Sequence, residues 1–216
     1  MAQSVNPSRR YDASRRQEQA RATRRAVLAV AHDMFVTDGY AATTMAAVAE
    51  ASGVSVETIY KAIGNKAQLV KACFDVAIAG DDEDVALLDR EDGFVARNRA
   101  EQDPRKKLML FGAHIAESMR ITGPIQVAVR AAAASDPAAA AVWAEMGAEK
   151  LTGMTFFAEN LKHGKHLRKG ISSAEARDVL WTYLSVELWE LLVGQRGWSE
   201  ARYGTFVGEQ LIAALL

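Results

Sequence analysis

Cysteine is nearly absent from this chain, since the 216-residue sequence contains only Cys73. A single cysteine excludes an intrachain disulfide, and its scarcity favours a reducing compartment. Leu69 and Val76 flank Cys73 in the sequence, so we expect a small buried side chain rather than a redox-active thiol.

Long apolar runs are absent as well. No segment approaches the roughly 18 apolar residues of a membrane-spanning helix. Hydrophobic residues nevertheless make up 50% of the chain, which is enough for a substantial core in one or two domains. The first twenty residues are polar and arginine-rich, without the apolar stretch of a signal peptide. We therefore expect a cytoplasmic protein with no membrane partner.

Motifs of catalysis and of metal binding are missing too. The sequence has no nucleophile elbow, no glycine-rich phosphate loop and no HExxH pattern. His163 and His166 lack a third and a fourth ligand nearby, and the acidic stretch from Gly80 to Asp92 does not follow the spacing of an EF-hand loop. We predict no catalytic residue, no metal site and no cofactor, and we interpret the acidic stretch as a solvated connection.

Charge is present but unevenly distributed, although the formal net charge is only -1. Residues 1–72 contain 10 Lys and Arg against 6 Asp and Glu, whereas the remainder contains 16 against 21. The basic part is the one that would face a polyanion such as DNA. Its first 22 residues are rich in arginine and poor in large apolar side chains. This composition is typical of a solvated tail or of an arm that contacts phosphates or a minor groove.

Helical periodicity runs through the rest of the chain, and no alternating strand pattern occurs. The first predicted helix extends from Thr23 to Asp38, and Gly39 ends it. Further helices are predicted from Asn65 to Ala79, from Asp103-Pro104 to a break at Gly123-Pro124, from Ile125 to Ala134, from Ser135-Asp136-Pro137 to Gly164, from Ser173 to Val193 behind a capping box of Ser172 and Glu175, and from Ser199 to Leu215.

The stretch from Thr43 to Lys66 has the pattern of two short helices joined by a tight turn. Gly53 can end the first helix because glycine adopts a positive φ without strain. Ser55 can cap the second helix, Val56 to Lys61, which is too short to be stable alone and must pack through Ile59. A small helix of this kind suits presentation to a partner, and the major groove of B-DNA admits one helix.

These residues resemble the tetracycline-repressor (TetR) family of transcriptional regulators. The family usually has a small residue where Glu57 stands, and a His or Tyr followed by Phe where Ala62 and Ile63 stand. The positions that carry the resemblance are Val27, Ala31, Phe35, Gly39, Tyr40, Thr43, Thr44, Val48, Ala49, Ala51, Gly53, Val54, Ser55, Thr58, Ile59, Tyr60 and Lys66.

The resemblance implies an all-α protein with an N-terminal three-helix DNA-binding unit that contains a helix-turn-helix. We place this unit at residues 23–66, behind a basic and disordered arm of residues 1–22. Residues 67–216 would form a helical domain for effector binding and dimerisation.

DNA contacts follow partly from the resemblance and partly from helix geometry. The resemblance makes Thr44, which can also cap the first helix, a phosphate contact together with Tyr60 and Lys66. On the second helix the outward positions could meet bases. Lys61 could contact guanine or phosphate, and Glu57 could accept a hydrogen bond from the amino group of cytosine. Val56 or Thr58 could touch a thymine methyl group. The predicted DNA-binding residues are Thr44, Ser55, Val56, Glu57, Thr58, Tyr60, Lys61 and Lys66.

The second domain is expected to bind a small-molecule effector between helices and to dimerise. Its final helices, Ser173 to Val193 and Ser199 to Leu215, would form a four-helix bundle with a second copy, unless their apolar surface is buried within one subunit. Arg130 or Glu187 could anchor a charged effector. The candidate lining residues, each of which could equally be core, are Phe111, His114, Met119, Trp143, Phe157, Trp181 and Tyr183.

The sequence thus predicts a homodimeric regulator that binds double-stranded DNA at a palindromic operator and is released by a small molecule, and the resemblance implies that it is a repressor. Two alternatives stay open from the sequence. One is an architectural DNA-binding protein without an effector, and the other is a helical small-molecule enzyme, which would require a catalytic pair and would leave the stretch from Thr43 to Lys66 unexplained.

Overall fold

The computed structural model describes residues 7–79 and 93–216, apart from the side chains of residues 7–14 and of Arg16. Within these ranges the chain is helical and contains no strand, so the predicted all-α class is confirmed. The helices are α1 Pro7–Thr37, α2 Gly39–Ala42, α3 Met45–Ser52, α4 Val56–Ala62, α5 Lys66–Ala79, α6 Gly93–Ala100, α7 Pro104–Ala133, α8 Pro137–His163, α9 Ser173–Tyr183, α10 Val186–Trp189, a π-helix Glu190–Gln195, and α11 Glu200–Leu215.

Two compact units divide the chain, Met1–Val76 and Ala77–Leu216. The boundary lies within α5, later than the expected division after Lys66. The reason is that α5 buries one face in the N-terminal unit: Cys73 is 2% exposed and its thiol lies 3.5 Å from the backbone oxygen of Leu28. Burial raises the pKa of Cys73 to about 12, so its thiol stays protonated, as expected for a small core residue.

Helix α1 is longer than the sequence pattern indicated. It begins at Pro7 rather than at Thr23, so residues 7–22 are helical instead of forming an unstructured arm. Proline suits the first turn of a helix, and the following Ala, Gln, Glu and Arg residues are good helix formers. Apolar periodicity indicates burial, and the side chains described for residues 15 and 17–22 are all exposed, so this part of α1 has no apolar stripe by which the sequence could predict it.

The N-terminal unit is held together by a small core of α1 to α5. Val27, Ala31 and Phe35 of α1 are buried, as the apolar stripe predicted. The rings of Phe35 and Tyr40 stack with centroids 5.9 Å apart, which fixes α2 against the end of α1.

The C-terminal unit is built around α7. Its predicted break at Gly123-Pro124 is wrong, because α7 continues through Pro124 to Ala133. Proline removes one backbone hydrogen bond, but Met119 before it and Ile125 after it are both buried. Packing on both sides of the proline therefore maintains a single helix.

The region expected as one helix from Ser173 to Val193 is interrupted. It consists of α9, α10 and the π-helix. The Ser185 hydroxyl accepts a hydrogen bond from the backbone N–H of Leu188 at 3.4 Å and caps α10. Serine competes with the backbone for hydrogen bonds, which explains a new helix start inside an apolar-rich stretch. The predicted capping box of Ser172 and Glu175 is confirmed at the start of α9.

None of the helices in residues 7–79 and 93–216 is long and apolar enough to cross a membrane. The acidic stretch from Gly80 to Asp92 lies outside the described residues. Helix α6 begins directly after it, at Gly93. Helix α6 had no counterpart in the sequence pattern, because an eight-residue segment is too short to show a full apolar stripe.

Helices α7 and α11 approach each other closely through glycines. A Cβ atom at Gly204 would lie 3.0 Å from the backbone oxygen of Gly112, and one at Gly208 would lie 3.1 Å from the Cα atom of Met109. Only residues without a side chain allow this backbone contact. The contact buries Tyr203 and Leu211 of α11 in the core of the unit.

Replacing Gly112 by alanine tests this close approach. A Cβ atom at Gly112 would lie 2.6 Å from the backbone nitrogen of Gly208. The helices must then move apart, and we expect the free energy of unfolding to fall by about 1–3 kcal/mol. Gly147→Ala on α8 is the control, since nothing lies within 4 Å of its added Cβ atom. Urea denaturation should show a gain of about 0.5–1 kcal/mol for the control; equal responses would contradict the close approach.

Candidate nucleic-acid interface

Helices α3 and α4 form the predicted helix-turn-helix, and each of its caps is in place. The Thr44 hydroxyl accepts from the Ala47 N–H at 3.1 Å, and the Ser55 hydroxyl accepts from the Thr58 N–H at 3.2 Å. Gly53 ends α3 in the left-handed region with φ 69°. These local interactions satisfy N–H groups that would otherwise lack partners, and they fix the turn between the two helices.

The two faces of α4 are sharply different. Ile59 is fully buried, and α4 contacts both α1 and α3. On the opposite face Tyr60 is 54% exposed, and Glu57 and Lys61 are exposed as well. A seven-residue helix has little stability of its own, so burial of Ile59 holds α4 with its polar face outward.

The remaining predicted base contacts lie at the edge of this outward face. Val56 and Thr58 are half-buried, whereas the caps Thr44 and Ser55 are exposed. The Thr58 hydroxyl lies 3.1 Å from the Ser55 hydroxyl. The Thr58 hydroxyl is therefore already in contact with the cap of its own helix. Val56 is the half-buried apolar side chain at the start of α4.

Two cations fasten the ends of the motif. The Arg24 guanidinium of α1 donates to the backbone oxygen of Ala62 at 3.2 Å, at the C-terminal end of α4. The Lys66 ammonium donates to the backbone oxygen of Ala41 at 3.2 Å and lies 4.4 Å from the centre of the Tyr40 ring. Lys66 is half-buried by these contacts, which hold α5 against α2 and leave its charge next to the motif.

The carboxylate of Glu57 is stabilised in its charged form. Hydrogen bonds from its own backbone N–H and from the Ser55 side chain lower the pKa of Glu57. A carboxylate in the first turn of α4 also interacts favourably with the helix dipole. Glu57 is therefore ionised at neutral pH and places a negative charge on a surface that Lys61 makes positive.

Aromatic residues predicted for an effector site are only partly brought together. Phe111 and Phe157 stack with centroids 4.5 Å apart, and His114 joins them through Phe94, whose ring lies 3.8 Å from the His114 ring and 6.0 Å from Phe111. Phe94 is not among the predicted lining residues, because the sequence pattern does not predict the short helix α6 that carries it.

The other predicted lining residues have different surroundings. Met119 is buried and its sulfur lies 3.5 Å from the Gln126 amide nitrogen, whereas Trp181 is 41% exposed and lies 5.3 Å beneath the Lys150 ammonium. Trp143 and Tyr183 are partly buried against the core of the C-terminal unit.

Charged groups that the sequence suggested as anchors pair with each other. The Arg130 guanidinium lies 3.1 Å from the Glu187 carboxylate and also binds Glu190 of the π-helix. This pairing raises the pKa of Arg130, mainly through the hydrogen bond to Glu190. Arg130 and Glu187 therefore link α7 to α10 rather than presenting a free charge.

Metal-ligand clusters are not found in residues 7–79 and 93–216, where no three His, Cys, Asp or Glu side chains meet. In the HGKH segment the Nδ1 atom of His163 lies 2.7 Å from the backbone oxygen of Glu159, one turn earlier in α8. This contact is an interaction of the helix end.

The helix-turn-helix has a counterpart among protein families. Residues 27–73 match the family model described as "Bacterial regulatory proteins, tetR family". The resemblance drawn from the sequence is thus confirmed for the segment that contains α3 and α4. No curated protein sequence matches the chain.

Solved structures extend this likeness to the whole fold. NalD, the secondary repressor of the MexAB-OprM multidrug efflux pump in Pseudomonas aeruginosa, shares 17% identity and a TM-score of 0.68, with 92% of this chain and 98% of NalD covered. The fatty acid degradation regulator FadR from Bacillus halodurans shares 16% identity and a TM-score of 0.66, with 88% and 94% covered. At such identities the likeness establishes the fold.

Two truncations on α4 test its orientation. Ile59→Ala removes a fully buried side chain and should lower the stability of the N-terminal unit by about 2–5 kcal/mol. Tyr60→Ala removes an exposed ring and should change it by no more than about 0.5 kcal/mol. Amide hydrogen exchange in α1 and α3 reports this unit separately from the rest. A large loss of protection in Tyr60→Ala would contradict the outward orientation of α4.

Proposed function

We propose that this protein is a transcriptional regulator that binds a palindromic operator as a homodimer and is released from it by a small-molecule effector. The observation that carries the proposal is the outward face of α4. It is held by buried Ile59, flanked by capped turns, and lies within residues that match a family of bacterial regulatory proteins. In such a motif the second helix enters the major groove.

Base and phosphate contacts would come from different parts of this surface. Lys61 and Glu57 can reach guanine and the amino group of cytosine respectively, and Val56 can contact a thymine methyl group. Tyr60 and Thr44, which are exposed at the rim, can bind phosphate oxygens and set the position of α4 on the duplex. Lys66 would add positive charge from the start of α5.

A dimer is required by the number of contacts. One three-helix unit offers few base contacts, whereas two copies related by a two-fold axis read two half-sites about 34 Å apart. The first turns of α11, together with Trp198 just before the helix, carry groups suited to such an interface. The Arg202 guanidinium lies 3.8 Å from the centre of the Trp198 ring, and Trp198 meets Phe206 edge-on at 5.4 Å. Aromatic residues and arginine are enriched at protein interfaces.

An effector site in the C-terminal unit is supported by polar groups that the apolar core leaves unsatisfied. Within the described part of the chain, the Tyr203 hydroxyl and the Trp189 indole nitrogen are buried without a hydrogen-bond partner. A buried polar group without a partner costs about 1–3 kcal/mol. A ligand that supplied hydrogen-bond acceptors to these groups would bind one conformation of the unit more tightly than another. It would therefore shift the population towards that conformation.

Operator binding is tested with DNA selected by the purified protein. Tyr60→Ala should weaken binding to all sequences by a similar factor, because a phosphate contact carries no sequence information. Glu57→Ala should instead change the preference at one base pair. Leu110→Ala, which truncates another exposed apolar side chain in the other unit, is the control and should bind like wild type. Wild-type binding by both α4 variants in a salt-titrated shift assay would refute the interface.

Dimerisation is tested by placing a charge on the outer face of α11. Wild type should sediment at twice the chain mass of 23.5 kDa. Thr205→Arg introduces a charge at an exposed position of α11 and should shift the protein towards the monomer. Thr155→Arg, also at an exposed threonine but on α8, should leave the mass unchanged. A monomeric wild type would refute the dimer.

A further inference from the structure

A buried lysine in the C-terminal unit has too few partners. Lys107 of α7 is 2% exposed, and its ammonium donates one hydrogen bond, to the side-chain oxygen of Asn160 at 2.8 Å. Among residues 93–216, no carboxylate forms an ion pair with this ammonium. An ammonium has three N–H donors, so two remain without an acceptor from the described residues.

This arrangement is electrostatically unfavourable as it stands. Buried charges in proteins are normally paired, because removing a charge from water costs far more than one neutral hydrogen bond returns. Burial accordingly lowers the pKa of Lys107, and the more distant charge of Glu101 only partly opposes this shift. A negative group at the ammonium would remove the imbalance.

The neighbourhood of Lys107 is built by three helices in register. On α7, Lys107 lies on the same face as Phe111 and His114, one and two turns further on. On α8, Asn160 lies one turn after Phe157. Two contacts therefore join α7 and α8 one turn apart: the Asn160 amide with Lys107, and the Phe157 ring with the Phe111 ring.

Helix α6 covers the same site with the same arrangement. The side-chain amide of buried Asn98 donates to the backbone oxygen of Lys107 at 2.8 Å. One turn earlier, the Phe94 ring stacks on His114 at an interplanar angle of 7° and meets Phe111 at 42°. The site therefore has a polar end, formed by Lys107 and the two amides, and an aromatic end of four rings.

The Lys107 ammonium, and not His114, supplies the charge of this site. Burial lowers the pKa of His114, an effect that Glu117 opposes and Arg97 reinforces. His114 therefore remains neutral near pH 7 and contributes a flat ring rather than a charge. A cationic ligand would be repelled by Lys107, and a neutral one would leave the ammonium unpaired.

We infer that Lys107 anchors the carboxylate of a small organic acid that carries an aromatic ring. The carboxylate accepts from the two unused N–H groups of the ammonium, and the ring packs with Phe94, Phe111 and Phe157. This inference rests on the proposed function in one respect only, namely that such an acid would be the effector. One ammonium flanked by neutral amides matches a single negative charge better than a dianionic phosphate.

Entry of the acid would take place under α6. An eight-residue helix is not stable without its contacts, and α6 contacts α7 through the Phe94 ring, which meets His114 and Phe111, and through the Asn98 hydrogen bond. A ligand ring that replaces these ring contacts keeps the aromatic packing while giving Lys107 a counter-ion. Occupied and empty forms would then differ in the position of α6.

The experiment uses the full chain without DNA and a series of phenylalkanoates from phenylacetate to phenylhexanoate, each paired with its neutral amide. Binding is measured by calorimetry and by the shift in melting temperature. At least one acid should bind and raise the melting temperature of wild type, and its amide should bind about tenfold more weakly or not at all.

Three variants locate the binding. Lys107→Met should melt higher than wild type without ligand, since it removes an unpaired buried charge, and should bind the acid at least about tenfold more weakly. Asn160→Asp supplies a carboxylate from within the chain; it should also melt higher and should exclude the acid. Lys106→Met, at the exposed neighbouring lysine, should behave like wild type.

The outcomes separate this site from the proposed function. Equal binding of acids and amides, absence of binding across the series, or unchanged binding by Lys107→Met would overturn the site. Acid binding that fails to release selected operator DNA would leave the carboxylate site intact and count against its role as the effector site. Failure of the protein to bind any DNA would contradict the proposed function without altering the binding measured on the protein alone.

Discussion

Burial of Ile59 is the interaction that fixes the orientation of α4 in the N-terminal unit. Helix α4 has seven residues and cannot form alone, so its position is determined by one apolar contact seam against α1 and α3. The Ser55 cap and the Arg24 hydrogen bond at its two ends restrict how α4 can turn about that seam. The exposed face that includes Tyr60 is therefore a consequence of what is buried.

The C-terminal unit follows a different principle. Its helices pack by close backbone approach, with Gly112, Gly204 and Gly208 between α7 and α11, and they enclose polar groups that the core does not satisfy. Lys107 and Tyr203 are both buried, and each retains a donor without an acceptor in the described part of the chain. Under the proposed function, a ligand that supplied these acceptors would bind one conformation of the domain more tightly than another and so shift the population towards it.

Features that depend only on residues close together in the sequence could be predicted from the sequence alone. Capping by Thr44, Ser55 and Ser172, the left-handed turn at Gly53 and the buried stripe of α1 could all be read from the sequence, because each depends on neighbours a few residues away. The candidate DNA-binding residues on α4 were accessible for the same reason, while their roles in contacting bases stay predictions.

Other features depend on residues that are distant in the sequence. The continuity of α7 through Pro124 is due to packing on both sides. The side chains described for residues 15 and 17–22 are exposed, so no apolar stripe indicates that part of α1. The grouping of Phe94, Lys107 and Asn160 joins three helices, and a buried lysine has no signature in its own neighbourhood. Pairing of Arg130 with Glu187 and Glu190 likewise joins residues that are more than fifty positions apart in the sequence.

The central claim is that α4 lies in the major groove, twice per assembly. The most direct measurement is methylation interference at guanine N7 on selected DNA, because N7 faces the major groove. The account predicts two patches of interference on one side of the duplex, centred about 10 base pairs or a multiple of that spacing apart. Interference confined to a single patch, or binding that is insensitive to N7 methylation and sensitive only to adenine N3 in the minor groove, would contradict it.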